Sequence, residues 1–257
     1  MSGNPVRQGF LIPVYNHGET AVSVVQKLAR YGLPVILVDD GSNAETKGCL
    51  AKIAANTPGA VLVTRKKNGG KGAAVIAGID KARGEGLTHV LQIDADGQHD
   101  AGQAGFFLEI SAAHPEALVC GRPEFDSSVP LSRKNGRKIA NTWAKIVTLS
   151  SEIEDVLCGF RVYPVEPAWR VCRHAFIDKR MGFDPEILVR LCWKHVPLLF
   201  YPVRVSYPLG GISHFRLIQD NIRISLGFTR LCAGMLVRLP VLLAAKFRGR
   251  RGKAAAG

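Results

Sequence analysis

The chain has 257 residues, enough for one large domain or one domain with an appendage. A hydrophobic fraction of 47% against 21% charged residues describes a globular protein with a full core and excludes a disordered one. Lys and Arg number 34 against 21 Asp and Glu, and the resulting net charge of +13 attracts phosphate, whether as nucleotide, nucleic acid or anionic lipid surface.

Residues 10–16, Phe10-Leu11-Ile12-Pro13-Val14-Tyr15-Asn16, are a short apolar run stopped by turn formers: a strand leading into a loop. Residues 19–30 carry helical spacing at Val22, Val25, Leu28 and Ala29, closed by Gly32 and Pro34. Val35-Ile36-Leu37-Val38 follows as a strand, uninterrupted and β-branched, as strands buried on both faces are. It runs into Asp39-Asp40-Gly41-Ser42, a tight turn that also caps a helix over 45–56. A third strand over 60–64 leads to Asn68-Gly69-Gly70-Lys71-Gly72, a glycine-rich turn opening an Ala-rich helix over 73–83. The strand Val90-Leu91-Gln92-Ile93 then ends in Asp94-Ala95-Asp96-Gly97-Gln98-His99-Asp100.

This alternation predicts an α/β fold, an open and mostly parallel sheet flanked by helices. Ligands in such sheets bind outside the C-terminal strand ends, and the loops 13–19, 39–42, 68–71 and 94–100 all leave such ends. On a continuing strand, positions i and i+2 share a face, so Asp94 and Asp96 are expected to face one ion, with Gln98 adding an oxygen at the same parity. Two hard oxygens, with the remaining shell left to water and phosphate, suit Mg²⁺ or Mn²⁺ carrying a nucleotide diphosphate. A lone Asp-x-Asp is ordinarily a solvated turn; the neighbouring loops make this one a candidate DXD metal site. The glycine run lacks the G-x-x-x-x-G-K-[ST] spacing of a P-loop, which argues against a nucleotide hydrolase.

Beyond about residue 105 the alternation fades. A strand over 117–121 ends at Arg122, and Ser132-Arg133-Lys134-Asn135-Gly136-Arg137-Lys138 leads into an amphipathic helix marked by Ile139, Trp143, Ile146 and Val147. Cations at a helix N-terminus oppose its dipole, a placement that makes sense if an anion docks there. Glu154-Asp155 precedes Cys158-Gly159-Phe160-Arg161, and Asp184-Pro185-Glu186 follows Met181-Gly182-Phe183; either cluster can supply a base or position an acceptor. Residues 227–247 are largely apolar but carry Arg230, Arg238 and Pro240. That stretch falls short of a membrane span on charge and is expected to lie in an interface, with Arg248, Arg250, Arg251 and Lys253 on anionic headgroups. A buried terminal helix with a basic tail is the alternative. Six scattered cysteines without a C-x-x-C pair read as reduced and cytosolic, and the N-terminus has no apolar segment of a signal peptide.

In order and spacing over roughly residues 10–216, these motifs resemble the family-2 glycosyltransferases of GT-A fold, most closely the dolichyl- or polyprenyl-phosphate sugar synthases. The resemblance implies a UDP- or GDP-sugar donor. Pro13, Tyr15 and Glu19 would line the nucleoside pocket, with Asp39 reaching the base, Lys71 near the diphosphate, Asp94, Asp96 and Gln98 holding the metal, and Asn16, Asp40 and Ala95 also contacting the nucleotide-sugar. It implies that Gly210-Gly211-Ile212-Ser213 closes over the donor, bringing Ser213, His214 and Arg216 to the diphosphate. It also implies that Arg133, Lys134 and Arg137 meet a lipid phosphate, and that the catalytic candidates are Arg122, Asp155, Asp184 and Glu186.

By its distance from the acidic pair, the second cluster better matches where members of the resembled family keep their base, so the resemblance favours Asp184 or Glu186 over Asp155, should a base be needed. A phosphate acceptor, already ionised, needs none, whereas a hydroxyl does. The expected organisation is a catalytic domain over 1–216, with a donor half at about 8–105 and an acceptor half at about 106–216, then a basic helical segment over 217–257. The expected activity is inverting, metal-dependent transfer from a nucleotide-sugar to a lipid-linked acceptor at the inner, cytoplasmic membrane face, with the protein held peripherally on the anionic surface. The alternatives are a nucleotidyltransferase of similar fold, or a non-catalytic module binding anionic membrane or nucleic acid. An aromatic content of 7% without basic–aromatic stacking argues against nucleic acid as a partner.

Overall fold

The computed structural model describes residues 5–125, 131–206 and 217–254. The first hundred residues form β1 (Gln8–Val14), α1 (Gly18–Ala29), β2 (Val35–Asp39), α2 (Ala44–Asn56), β3 (Ala60–Thr64), α3 (Lys71–Gly84) and β4 (His89–Gln92), in the expected alternation. After them come α4 (Ala104–Ala113), β5 (Leu118–Phe125), α5 (Leu131–Thr148), β6 (Arg161–Pro164), α6 (Val165–His174), α7 (Phe183–Trp193), β7 (Leu198–Val205) and α8 (Leu217–Ala254).

The strands make one seven-stranded sheet in the order β3-β2-β1-β4-β6-β5-β7. The pairs β3–β2, β2–β1, β1–β4 and β5–β7 are parallel. The sheet is nonetheless mixed, because β6 runs against both β4 and β5. Arg161, at the start of β6, therefore sits opposite Gln92, at the end of β4. The chain enters β6 at the same edge where it leaves β1, β2 and β4.

Helices cover both faces, so the central strands are buried throughout and alternate residues feed two cores. Val35 and Leu37 of β2 join α1, α2 and α4, while Ile36 and Val38 join α3, α5, α6 and α7 on the other face. α3 lies close to β1 because its inner face is small: a Cβ at Gly78 would collide with Leu11. Two strands had no clear sequence signal. β6 is four residues long and opens on Arg161, and β7 carries Pro202, which an edge strand tolerates because one side of its backbone has no ladder partner. The basic stretch does not precede the amphipathic helix as expected; α5 begins at Leu131 and contains it.

α8 is a single 38-residue helix with Pro240 inside it, packed against α5 and α7. Phe228, Leu231 and Leu242 face the protein, while Leu236, Val237 and Val241 lie 63%, 81% and 60% exposed. Over Ile222–Ala244 it is long and apolar enough to cross a membrane, by length and composition. The expectation that charge disqualifies this stretch is corrected by where its arginines go. Arg230 pairs with Glu186, and Arg238 lies over the Trp193 ring and bonds the Gly234 carbonyl, so both turn towards the protein.

Candidate active site

Four loops gather at the C-terminal ends of β1, β2, β3 and β4, and a fifth enters β6 beside them. After β1 the chain turns at Asn16, whose φ of 55° is one that asparagine tolerates better than most residues. Asn16 joins two loops: the Asn43 N–H donates to its Oδ1 at 2.9 Å, and its own N–H donates to Ser42 Oγ at 3.1 Å. Pro13 and Tyr15 are half-buried there, and Glu19 is exposed on the first turn of α1.

The two aspartates at the C-terminal end of β2, Asp39 within it and Asp40 just beyond, do different work. Asp39 is 1% exposed; its Oδ1 accepts the Ser42 N–H at 2.8 Å, while its Oδ2 is buried with no partner among the described residues. Asp40 binds the glycine loop, accepting Gly70 N–H at 2.7 Å and Gly69 N–H at 3.1 Å, and pairs with Arg65. The Gly69 and Gly70 amides are thus occupied by Asp40. Gly41, at φ 74°, is required here, since a Cβ would lie 2.7 Å from the backbone of Lys67 and Asn68.

The acidic pair does not sit on a strand. β4 stops at Gln92, Ile93 N–H donates to Leu11 O at 3.0 Å, and the chain then turns. The parity that would align Asp94 with Asp96 is replaced by turn geometry, in which Asp96 Oδ1 accepts the Gln98 N–H at 3.0 Å. Ser206 N–H donates to Gln98 O at 3.0 Å and fastens this turn to the end of β7; Ala95 is buried beneath it.

Asp94 Oδ2 accepts from Lys71 Nζ at 2.8 Å, and the same ammonium reaches Asp184 Oδ2 at 2.9 Å. The remaining oxygens, Asp94 Oδ1 and Asp184 Oδ1, are buried without partners among the described residues. Burial opposes the Lys71 charge, but Asp184 and Asp94 raise its pKa well above the ordinary lysine value. Burial likewise pushes the Asp94 carboxyl up, and Lys71 more than reverses this, leaving it below its usual range. Asp96 is raised, by burial and by the charge of Asp94, and burial lowers His99. Gly159 makes room for the junction: a Cβ there would lie 2.5 Å from Lys71 Nζ and 2.9 Å from Asp94 Oδ2.

On the acceptor side the candidates are already engaged. Asp155, 2% exposed, accepts from Arg137 at 2.5 Å and from the backbone N–H of Cys158 at 2.7 Å and Leu157 at 3.0 Å. Arg122 pairs with Glu154 at 2.6 Å on the surface, and Lys134 is half-buried on α5. Glu186 is fully buried, held by Arg190 at 3.3 Å and Arg230 at 2.5 Å. Ser213, His214 and Arg216 lie outside the described residues, as does the Arg133 side chain.

The structure therefore brings Lys71, Asp94 and Asp184 into contact, and joins Asn16, Asp39, Asp40 and the glycine loop beside them. Glu186 belongs to the α7–α8 contact instead. Arg161 had no assigned role: fully buried, it donates to Asp184 O at 2.7 Å and Val156 O at 2.8 Å, holding the first turn of α7 in place. Its one signal in the sequence is a charge in the middle of an apolar run. Gln92, fully buried with both amide atoms unpartnered among the described residues, also lacked a signal.

A family model described as glycosyl transferase family 2 matches residues 10–172. A dolichyl-phosphate beta-glucosyltransferase of Trichomonas vaginalis is 29% identical over 73% of this chain, an alignment that spans 60% of the relative's length. A polyprenol monophosphomannose synthase of Mycolicibacterium smegmatis is 28% identical over 83% of this chain and 82% of its own. Among solved structures, glucosyl-3-phosphoglycerate synthase from Mycobacterium tuberculosis, in complex with Mn²⁺, UDP-glucose and phosphoglyceric acid, has a similar fold, with a TM-score of 0.66 at 13% identity over 89% of this chain and 80% of that one.

Proposed function

The chain belongs to glycosyl transferase family 2, and from that premise we propose that it moves a sugar from a nucleotide-sugar to a polyprenyl-phosphate acceptor, with inversion at the anomeric carbon. The observation that carries this reading is the pair of unpartnered buried carboxylate oxygens, Asp39 Oδ2 and Asp94 Oδ1, at one edge of the sheet. A buried acceptor left without a donor is costly, so such atoms mark places where a ligand completes the bonding.

Asp39 Oδ2 is an acceptor and suits an N–H edge of a nucleobase, with Pro13, Tyr15 and Glu19 around the nucleoside. Asp94 and Asp96 fit a divalent ion held mainly by its other ligands: no set of three or more His, Cys, Asp or Glu side chains converges among the described residues. Mg²⁺ or Mn²⁺, bound by the two carboxylates and the donor diphosphate with Gln98 alongside, would offset charge on the leaving group. The relative crystallised with Mn²⁺ and UDP-glucose supports this class of site.

A phosphate acceptor makes sense of the engaged acids. Its oxygen is ionised at neutral pH and attacks the anomeric carbon while the bond to the diphosphate breaks, with no proton to remove. Asp155 and Glu186, both bonded to arginines, then act in architecture rather than as bases. Arg122, Lys134 and Arg137, with Arg133 in the same basic segment, are assigned to the acceptor phosphate. The exposed apolar residues of α8 support attachment to a membrane, and six free cysteines support a reducing compartment, consistent with the cytoplasmic face.

The test is to incubate the protein with UDP-, GDP- and CMP-sugars, Mg²⁺ or Mn²⁺, and polyprenyl phosphate, and to follow glycolipid and released nucleotide. Transfer that requires one donor, the metal and the lipid phosphate supports the reading. Release of pyrophosphate in a parallel incubation with nucleoside triphosphates and sugar phosphates, with no sugar transferred from any nucleotide-sugar, would replace it with nucleotidyl transfer.

A further inference from the structure

The candidate donor site already holds a cation of its own. Lys71 is the first residue of α3, where a positive charge opposes the helix dipole, so something other than the helix keeps it there. Asp94 and Asp184 do, each through one oxygen, and each keeps a second buried oxygen without a partner among the described residues. The Lys71 side chain is only 16% exposed, and the missing side chain of Gly159 leaves room for its ammonium. Asp184 is fixed independently, through the bond from Arg161 to its carbonyl. Lys71 therefore has two acidic partners from different parts of the chain, and losing one would not strand it.

We infer that Lys71 is an internal counter-ion that neutralises Asp94 until a divalent ion arrives, and that Asp184 is the positioning residue that retains Lys71 once it has released Asp94. The inference rests on the metal-dependent reading above and deepens it. Asp94, Asp184 and the Lys71 ammonium they share carry a net negative charge and Asp96 adds to it, so the site attracts a divalent ion, although Arg161 at the Asp184 carbonyl offsets part of that charge. The ammonium held by Asp184 then stays beside the acidic turn, where a donor diphosphate lies if that ion carries it.

Three variants of the full chain, Lys71→Met, Asp184→Asn and the double variant, are titrated with Mn²⁺ alone and with UDP present, at mildly alkaline pH, by calorimetry or Mn²⁺ spin resonance. Thermal unfolding verifies that each is folded, and Lys71→Gln serves if the methionine variant is not. Lys71→Met is expected to bind Mn²⁺ roughly tenfold more tightly than the parent, the worth of one close ion pair removed from competition. Asp184→Asn is expected to bind it several-fold more weakly, because Lys71 is then committed to Asp94. The double variant should match Lys71→Met.

Unchanged or weaker binding of Mn²⁺ alone by Lys71→Met overturns the inference, as does an Asp184→Asn effect on Mn²⁺ alone that persists without Lys71. If the parent itself fails to bind Mn²⁺ with UDP present, the metal-dependent reading falls and takes this inference with it.

Discussion

In the loops after β2 and β4, Asp39 and Asp94 each use one oxygen inside the protein and keep the other buried and unpartnered among the described residues. On the acceptor side, Asp155 is taken by Arg137 and two backbone amides, and Glu186 by Arg190 and Arg230. All four acids are near turns or helix starts, and all drew attention in the sequence. The difference lies in what completes them: Asp39 and Asp94 leave bonding capacity for something outside the chain, and Asp155 and Glu186 use theirs to hold helices and loops.

The largest effect should come from the half that leaves capacity open. Asp94→Asn combined with Asp96→Asn is expected to lower sugar transfer by about 10³-fold or more while thermal stability changes little, read from initial rates and melting temperature. A stability loss that accounts for the lost rate would break the comparison.

Next, Glu186→Ala should act on the fold. Removing a fully buried carboxylate held by two half-buried arginines is expected to cost about 3 kcal/mol, measured by denaturant unfolding, with Mn²⁺ affinity unchanged in the folded fraction. Asp155→Ala is expected to cost about 2 kcal/mol by freeing two backbone N–H groups and Arg137, again without loss of UDP binding. Gly159→Ala tests the seam between the halves: its Cβ crowds Lys71 and Asp94, and a loss of about tenfold in transfer with 1–3 kcal/mol in stability is expected. The smallest shift is in Arg122→Ala, whose exposed pair with Glu154 contributes within about 0.5 kcal/mol, so that only the KM for the acceptor should rise.

The donor half was the more legible in the sequence for a physical reason. Parallel strands buried on both faces read as plain apolar runs, and the loops at their C-terminal ends are marked by glycine, proline and aspartate. The same continuity misled at one point. Ile93 prolongs the apolar run, but the ladder ends at Gln92 and Asp96 takes up a turn, so the acidic residues leave the strand sooner than hydrophobicity suggests.

In the acceptor half the stabilising partners are distant in sequence. Arg161 within β6 is acceptable only because Asp184 and Val156 offer it carbonyls, and no local pattern announces that. The junction of Lys71, Asp94 and Asp184 joins three segments that the sequence treats separately; its members were each singled out, but not their contact. Glu186 shows the converse, since an acidic residue beside Asp184 gave no hint that α8 would claim it.

One consequence concerns how this protein can be shortened. A chain trimmed before α8, a natural choice when an apolar helix hinders purification, would leave Glu186 inside the fold with half its compensation and uncover Trp193, over which Arg238 now lies. Glu186 lies two residues from Asp184 on the same helix turn, so the damage would begin next to the residue that holds Lys71. A detergent that shields α8, or Glu186→Leu with Arg230→Met introduced together, is the gentler route to a tractable protein, and the C-terminal helix is best regarded as inherited with the catalytic core rather than attached to it.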